Sequence, residues 1–204
     1  MADADFFDQI KLFLPKYLTP TQTSELFSEL SRFPENKSFY LFGPEWGEQL
    51  LQGDGWRGFV ALNFVTGERK DVSGVIISNS CDIDPAHVRD VPVNVLFAPL
   101  IDLGRYVELL RDAGKSPRQI EDVLRDIRRQ RVTSIFYLPD HPTGVPEAMI
   151  LFNDIHAHPL QDFGRRSKVS LFTLNQYAFY LFLIKLSIHF ARFQEDVRRF
   201  DNAA

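Results

Sequence analysis

Val72-Ser73-Gly74-Val75-Ile76-Ile77-Ser78 is a short apolar run closed by polar residues on both sides. Its length and its β-branched content fit a strand buried within a sheet. Working outward, residues 56–65 read as a preceding strand, with Thr66-Gly67-Glu68-Arg69 as the turn between the two. Residues 93–100 read as a third strand, ending at Pro99. Residues 38–42 are aromatic enough for a short strand, and strands resume over 132–138 and 148–152, with 155–160 as the hairpin partner of the last. Gly43, Gly47, Gly53, Gly55 and Gly58 punctuate the early part as turn residues do. Five or six short strands in succession, with helices before, between and after, predict an α+β fold. Short antiparallel strands with glycine-rich turns close most economically into a small β-barrel.

The helical segments sit outside that β texture. Phe6, Phe7, Ile10, Phe13 and Leu14 recur at helical spacing over 3–18. Thr19-Pro20-Thr21-Gln22 then fits a capping box with proline at the first helical position. Leu26, Phe27, Leu30 and Phe33 mark the second helix, closed by Pro34, so residues 1–34 read as an N-terminal helical hairpin. Residues 102–131 read as a helical insertion of two helices, the second opened by the capping box Ser116-Pro117-Arg118-Gln119. Its buried stripe is Ile120, Val123, Leu124 and Ile127, and Glu121 to Arg125 is a favourable spacing for an ion pair. A long C-terminal helix over 173–199, with Thr173 as its cap, is apolar nearly all round and so is buried on two sides. The chain thus divides into a hairpin (1–34), a first part of the barrel (38–101), the insertion (102–131) and a second part of the barrel with the last helix (132–204).

Of 204 residues 45% are apolar and 19 are phenylalanine, ample for a core without disulfide or metal support. The single cysteine, Cys81, can form no intrachain disulfide. The acidic start Met1-Ala2-Asp3-Ala4-Asp5 is unlike a signal peptide. The most apolar stretch, 177–190, carries Lys185 and falls short of the ~20 residues a membrane span requires. A cytoplasmic protein with no membrane partner is expected. The net charge of −4 provides no general attraction for nucleic acid, although a local basic patch is compatible with it.

Three polar stretches carry chemistry. Ser80-Cys81-Asp82-Ile83-Asp84-Pro85-Ala86-His87 follows a buried strand. It reads as a nucleophilic Cys81 activated by His156 or His158, as a metal set of Cys81, Asp82, Asp84 and His87, or as a buried thiol with Asp82 and Asp84 capping a turn. The metal reading lacks a second ligand pair, and no metal or cofactor is assigned. His156-Ala157-His158 places two imidazoles on one strand face, with Asp154 at the same parity. Gly164-Arg165-Arg166-Ser167-Lys168 is a basic run able to grip phosphate, above all with Arg128, Arg129 and Arg131 nearby, or else a solvated loop. No Walker, Gly-x-Ser-x-Gly, His-Glu-x-x-His or EF-hand pattern occurs.

Taken in order, Val75-Ile76-Ile77-Ser78-Asn79, Val95-Leu96-Phe97-Ala98-Pro99-Leu100 and the stretch from Gly144-Val145-Pro146-Glu147 through Met149-Ile150-Leu151-Phe152-Asn153-Asp154-Ile155 to Leu160 resemble the MazF/PemK group of toxin–antitoxin ribonucleases. Ser170-Leu171-Phe172-Thr173-Leu174 and the last helix extend the likeness, which covers about 53–101 and 132–193. Ser80-Cys81-Asp82-Ile83 and Phe136-Tyr137-Leu138-Pro139 look most like bacterial members of unassigned activity. The resemblance implies an SH3-like barrel and a homodimer. Where the ribonucleases carry an arginine before a proline, this chain reads Asp71-Val72-Ser73, and Ile101 stands where they place a threonine or serine. The reading that follows is a non-catalytic interaction module for a partner protein, in a bacterial toxin–antitoxin or antiphage setting. The alternative is a divergent endoribonuclease acting on single-stranded RNA. Arg69, Lys70, Cys81 and Asp82 would then be its catalytic candidates, with Arg165, Arg166 and Lys168 holding phosphate.

Overall fold

The fold is described from a computed structural model, for residues 19–32, 38–42, 49–84, 86–87, 90–140 and 144–191. The helix read over 3–18, its companion's closure at Pro34 and everything after residue 191 lie outside the described residues.

The opening stretch falls mostly in the second strand of a hairpin. β1 (Tyr40–Leu41) precedes β2 (Gly55–Leu62) and β3 (Arg69–Ile76), and the last two pair from Gly55 opposite Val75 to Leu62 opposite Arg69. The turn sits earlier than its glycine suggests. The Asn63 side chain accepts from the backbone of Val65 (2.9 Å) and Thr66 (3.3 Å), which folds the chain at 63–68 and leaves Arg69 free to begin β3. After α1 (Pro20–Ser31), whose Thr19–Gln22 capping box is formed in both directions, the order continues with the short α2 (Ser80–Ile83), β4 (Asn94–Pro99) and β5 (Ile101–Asp102). The insertion follows as α3 (Leu103–Asp112) and α4 (Pro117–Arg128), with the Ser116–Gln119 box in place. Then come β6 (Ile135–Leu138), β7 (Ala148–Leu151), β8 (His156–Pro159), α5 (Leu160–Arg165), β9 (Val169–Leu174) and α6 (Gln176–Ala191).

The protein is α+β. Six strands form an antiparallel sheet in the order β1-β9-β2-β3-β4-β8, and three form a second in the order β5-β7-β6. Only Leu100 separates β4 from β5, and four residues separate β7 from β8, so the second sheet continues the first around a bend. The stretch read as the hairpin partner of β7 pairs instead with β4, Asn94 opposite Pro159 and Phe97 opposite His156. β7 meanwhile pairs with β5 and β6.

The closed barrel read from the sequence is not formed. Among the described residues there are nine strands rather than five or six, and β8 stops short of pairing with β2. Strands of two residues cannot complete a ladder, and α5 fills the gap by driving Phe163 beneath the curl of β2, β3, β4 and β8. There Phe59 lies between Phe97 (4.1 Å, 7°) and Phe163 (4.4 Å, 7°) in a continuous stack. A larger aromatic cluster, including Phe39, Phe136, Phe152, Phe172 and Phe182, fills the space under α6.

Two local readings change. Thr173 belongs to β9, and Asn175 caps α6 by accepting from Ala178 N at 2.9 Å. Arg125 pairs with Asp122 (2.6 Å) rather than Glu121. Among the described residues no helix is long and apolar enough to cross a membrane.

Candidate functional site

Pro159 and α5 separate two clefts, and the candidate residues are divided between them. The smaller cleft, about 500 Å³, opens at the seam where β8 approaches β2. Arg69, Lys70 and Asp71 enter it from the start of β3, His158 from β8, and Asp162 and Arg166 from α5 and the residue after it. Gly58 makes this seam possible. Its φ of +118° kinks β2, and a Cβ there would lie 3.0 Å from the Ser167 carbonyl oxygen. Arg166 spans the seam, donating from Nη2 to Asp71 Oδ1 (2.5 Å) and from Nε to the Gly58 carbonyl (3.2 Å).

His158 is only 3% exposed. Its Nε2 lies 2.7 Å from Asp162 Oδ2, and Phe59 and Phe163 pack around the ring. The carboxylate accepts, so Nε2 carries a hydrogen, while Nδ1 is buried and without a hydrogen-bond partner. That hydrogen bond also holds the Asp162 carboxyl below its ordinary range. His156, two residues earlier, pairs with Asp154 (3.1 Å) and stacks on Phe97, which is the same-face arrangement its spacing suggests.

The larger cleft, about 970 Å³, lies on the other side of α5. Ser80, Cys81, Asp84 and His87 form one wall, Leu50, Val91 and Leu160 supply apolar surface, and Lys168 lines the opposite side. Asn79 caps α2 by accepting from Cys81 N at 2.9 Å, and this turns Cys81 outward. The thiol is exposed, so the buried-thiol alternative is excluded, while Asp84 does close a turn through Ala86 N (2.9 Å). The histidine beside Cys81 is His87, whose Nδ1 lies 3.1 Å from the Cys81 carbonyl. His156 and His158 do not line this cleft, because β8 turns both toward the Phe59–Phe97 stack.

Arg69, Lys70 and Arg166 are therefore brought together, and Cys81 and Lys168 are brought together, but the two sets are not. Asp82, in the first turn of α2, and Arg165, at the end of α5, are exposed and line neither cleft. Among the described residues no three of His, Cys, Asp and Glu form a set that could hold a metal ion. Arg128 is held by both Glu147 oxygens (2.9 and 2.7 Å) and Arg131 by Asp126 (3.4 Å). Arg128 and Arg131 are thus each engaged by a carboxylate.

The sequence alone does not single out the His158–Asp162 pair. Its signal is a four-residue interval across a strand–helix junction, hidden because the residues of α5 read as a loop. No family model matches the chain, and no curated protein matches it.

Proposed function

We propose that the chain is a non-catalytic, MazF/PemK-like interaction module that docks a partner protein, in a toxin–antitoxin or antiphage setting. The single observation that carries this reading is the β2–β3 hairpin tip. Phe64 is 87% exposed and Val65 94%, and the Asn63 side chain holds the turn that presents them. A large apolar pair held into water on an ordered turn is a contact surface more readily than a solubility feature. The division of Cys81 and Asp82 from Arg69 and Lys70 supports the absence of chemistry. The near-continuous course of β4–β5 and β7–β8 around one core supports an open form of the SH3-like barrel.

One observation favours the ribonuclease alternative: Arg69, Lys70 and Arg166 share a cleft with a histidine–carboxylate pair. RNA cleavage needs phosphate-holding cations and a proton acceptor. His158 is poorly placed for that task, its Nε2 committed to Asp162 and its Nδ1 enclosed.

The test pairs two assays. Affinity capture with wild-type protein is set beside a Phe64→Ser/Val65→Ser variant, and long single-stranded RNA is incubated with the wild type and with Arg69→Ala/Lys70→Ala. A partner retained by the wild type and lost by the tip variant, with RNA intact, is the expected result. Discrete cuts by the wild type that disappear in the cation variant would replace this reading with the ribonuclease.

A further inference from the structure

We propose that the smaller cleft is a binding site for a phosphomonoester, held by Arg69 and Arg166. The charge arrangement carries the argument. Three cations and two carboxylates line the cleft, within a chain whose net charge is −4. Asp162 is bound to His158 at 2.7 Å and makes no ion pair with the three cations. Asp71 is bound to Arg166 at 2.5 Å. Among the described residues Arg69 and Lys70 have no carboxylate within ion-pair distance, and three cations against two carboxylates leave this concave surface with a net positive charge.

Geometry places Arg69 and Arg166 where one anion can meet them. Arg69 and Asp71 are two residues apart on β3 and share a face, so the Arg69 guanidinium lies on the side where Asp71 meets Arg166. The Asp71 side chain is 77% exposed, and an exposed ion pair of this kind is weak and exchanges readily. Asp71 thus occupies the position of a replaceable internal anion. A phosphoryl group entering the cleft takes its place on Arg166 and adds Arg69, each through the charge-assisted contacts that guanidinium–phosphate pairs favour. A monoester dianion matches the charges of the two guanidinium groups, whereas a diester brings a single charge. The volume, about 500 Å³, takes a phosphate with a small organic group attached.

This site is separate from the hairpin tip, so the two proposals fail independently. The test is a titration of the full chain with phenyl phosphate at low salt, followed by amide chemical shifts. Saturable one-site binding is expected, with Arg69→Gln and Arg166→Gln each weakening it about tenfold through loss of a charge-assisted contact. Asp71→Asn removes the competing carboxylate and should tighten binding severalfold, a gain that misfolding cannot imitate. Lys168→Gln, in the other cleft, should bind as the wild type does. Absence of saturation overturns the proposal, as does indifference to the Arg69 and Asp71 changes. Equal affinity for dimethyl phosphate would overturn it too, and would direct attention to a diester and the ribonuclease reading.

Discussion

Tyr40 donates its phenolic hydrogen to the carbonyl of Pro139, 99 residues further along the chain, over 2.6 Å. Tyr40 lies in the outermost strand of the six-stranded sheet and Pro139 directly follows β6, the outermost strand of the other. The two ends of the bent sheet are therefore joined by one side-chain hydrogen bond in place of a ladder. Burial pushes the phenol above its ordinary range, so the donor is present at every physiological pH. Tyr40→Phe keeps the ring against Phe172 (5.1 Å between centroids) and removes only the donor. It should cost about 1–3 kcal/mol in urea unfolding, the penalty for leaving a buried carbonyl unmet. Wild-type stability in this variant would mean that the sheet ends are held by packing alone.

Gly74 is required by the approach of β3 to β4. A Cβ at this position would lie 2.7 Å from Cδ2 of Phe97 and 2.9 Å from the Ala98 carbonyl oxygen. The first atom belongs to the aromatic stack and the second to backbone, so neither yields cheaply. Gly74→Ala should destabilise by about 1–3 kcal/mol, the usual cost of overpacking a filled core. Gly164 gives the opposite sign. It lies in α5, where an added Cβ would meet nothing within 4 Å, and Gly164→Ala should be neutral or stabilising by up to about 1 kcal/mol through helix propensity. Thermal melts of the two variants check both directions, and a loss in each would mean that the stack is not the cause.

What the sequence discloses depends on whether neighbours in sequence or neighbours in space decide the outcome. The two capping boxes at Thr19 and Ser116 are local, and both form as their residues specify. The apolar strands at 72–78 and 93–100 likewise appear within a few residues of their reading. The pairing of β8 with β4 is not legible, because it depends on a bend at 152–155 that separates β7 from its apparent hairpin partner. α5 is hidden by the charges of Arg165 and Arg166, which decorate a helix whose anchor is the single residue Phe163. The site shares this limit. Arg69 and Arg166 stand 97 positions apart, and only the Gly58 kink brings their segments to one seam. Gln130 is another such case. Its φ of +54° directs its amide to both the N–H and the carbonyl of Tyr137, closing the free edge of β6 where no strand follows.

Two buried charges of opposite kind make stability depend on pH around neutrality. Burial raises Asp54 from 3.8 to about 7, against hydrogen bonds from Thr173 and Leu174 that favour the carboxylate. Burial lowers Lys185 from 10.5 to about 7, although its ammonium donates to the Gln130 and Val132 carbonyls at 2.7 and 2.8 Å. For Asp54 the folded state binds the proton more tightly, so its contribution is fully present below pH 3.8 and is lost as pH rises through about 7. For Lys185 the folded state prefers the neutral amine, so its contribution is fully present above pH 10.5 and is lost as pH falls through about 7. The two losses meet near neutrality, each amounting to a few kcal/mol at ~1.4 kcal/mol per unit. Stability measured by urea unfolding between pH 5 and 9 should therefore carry a minimum near 7 from this pair. Asp54→Asn should remove the decline on the acid side, and Lys185→Met the rise on the alkaline side, each leaving the other limb intact. A minimum that survives in the double variant would assign it to groups other than these two.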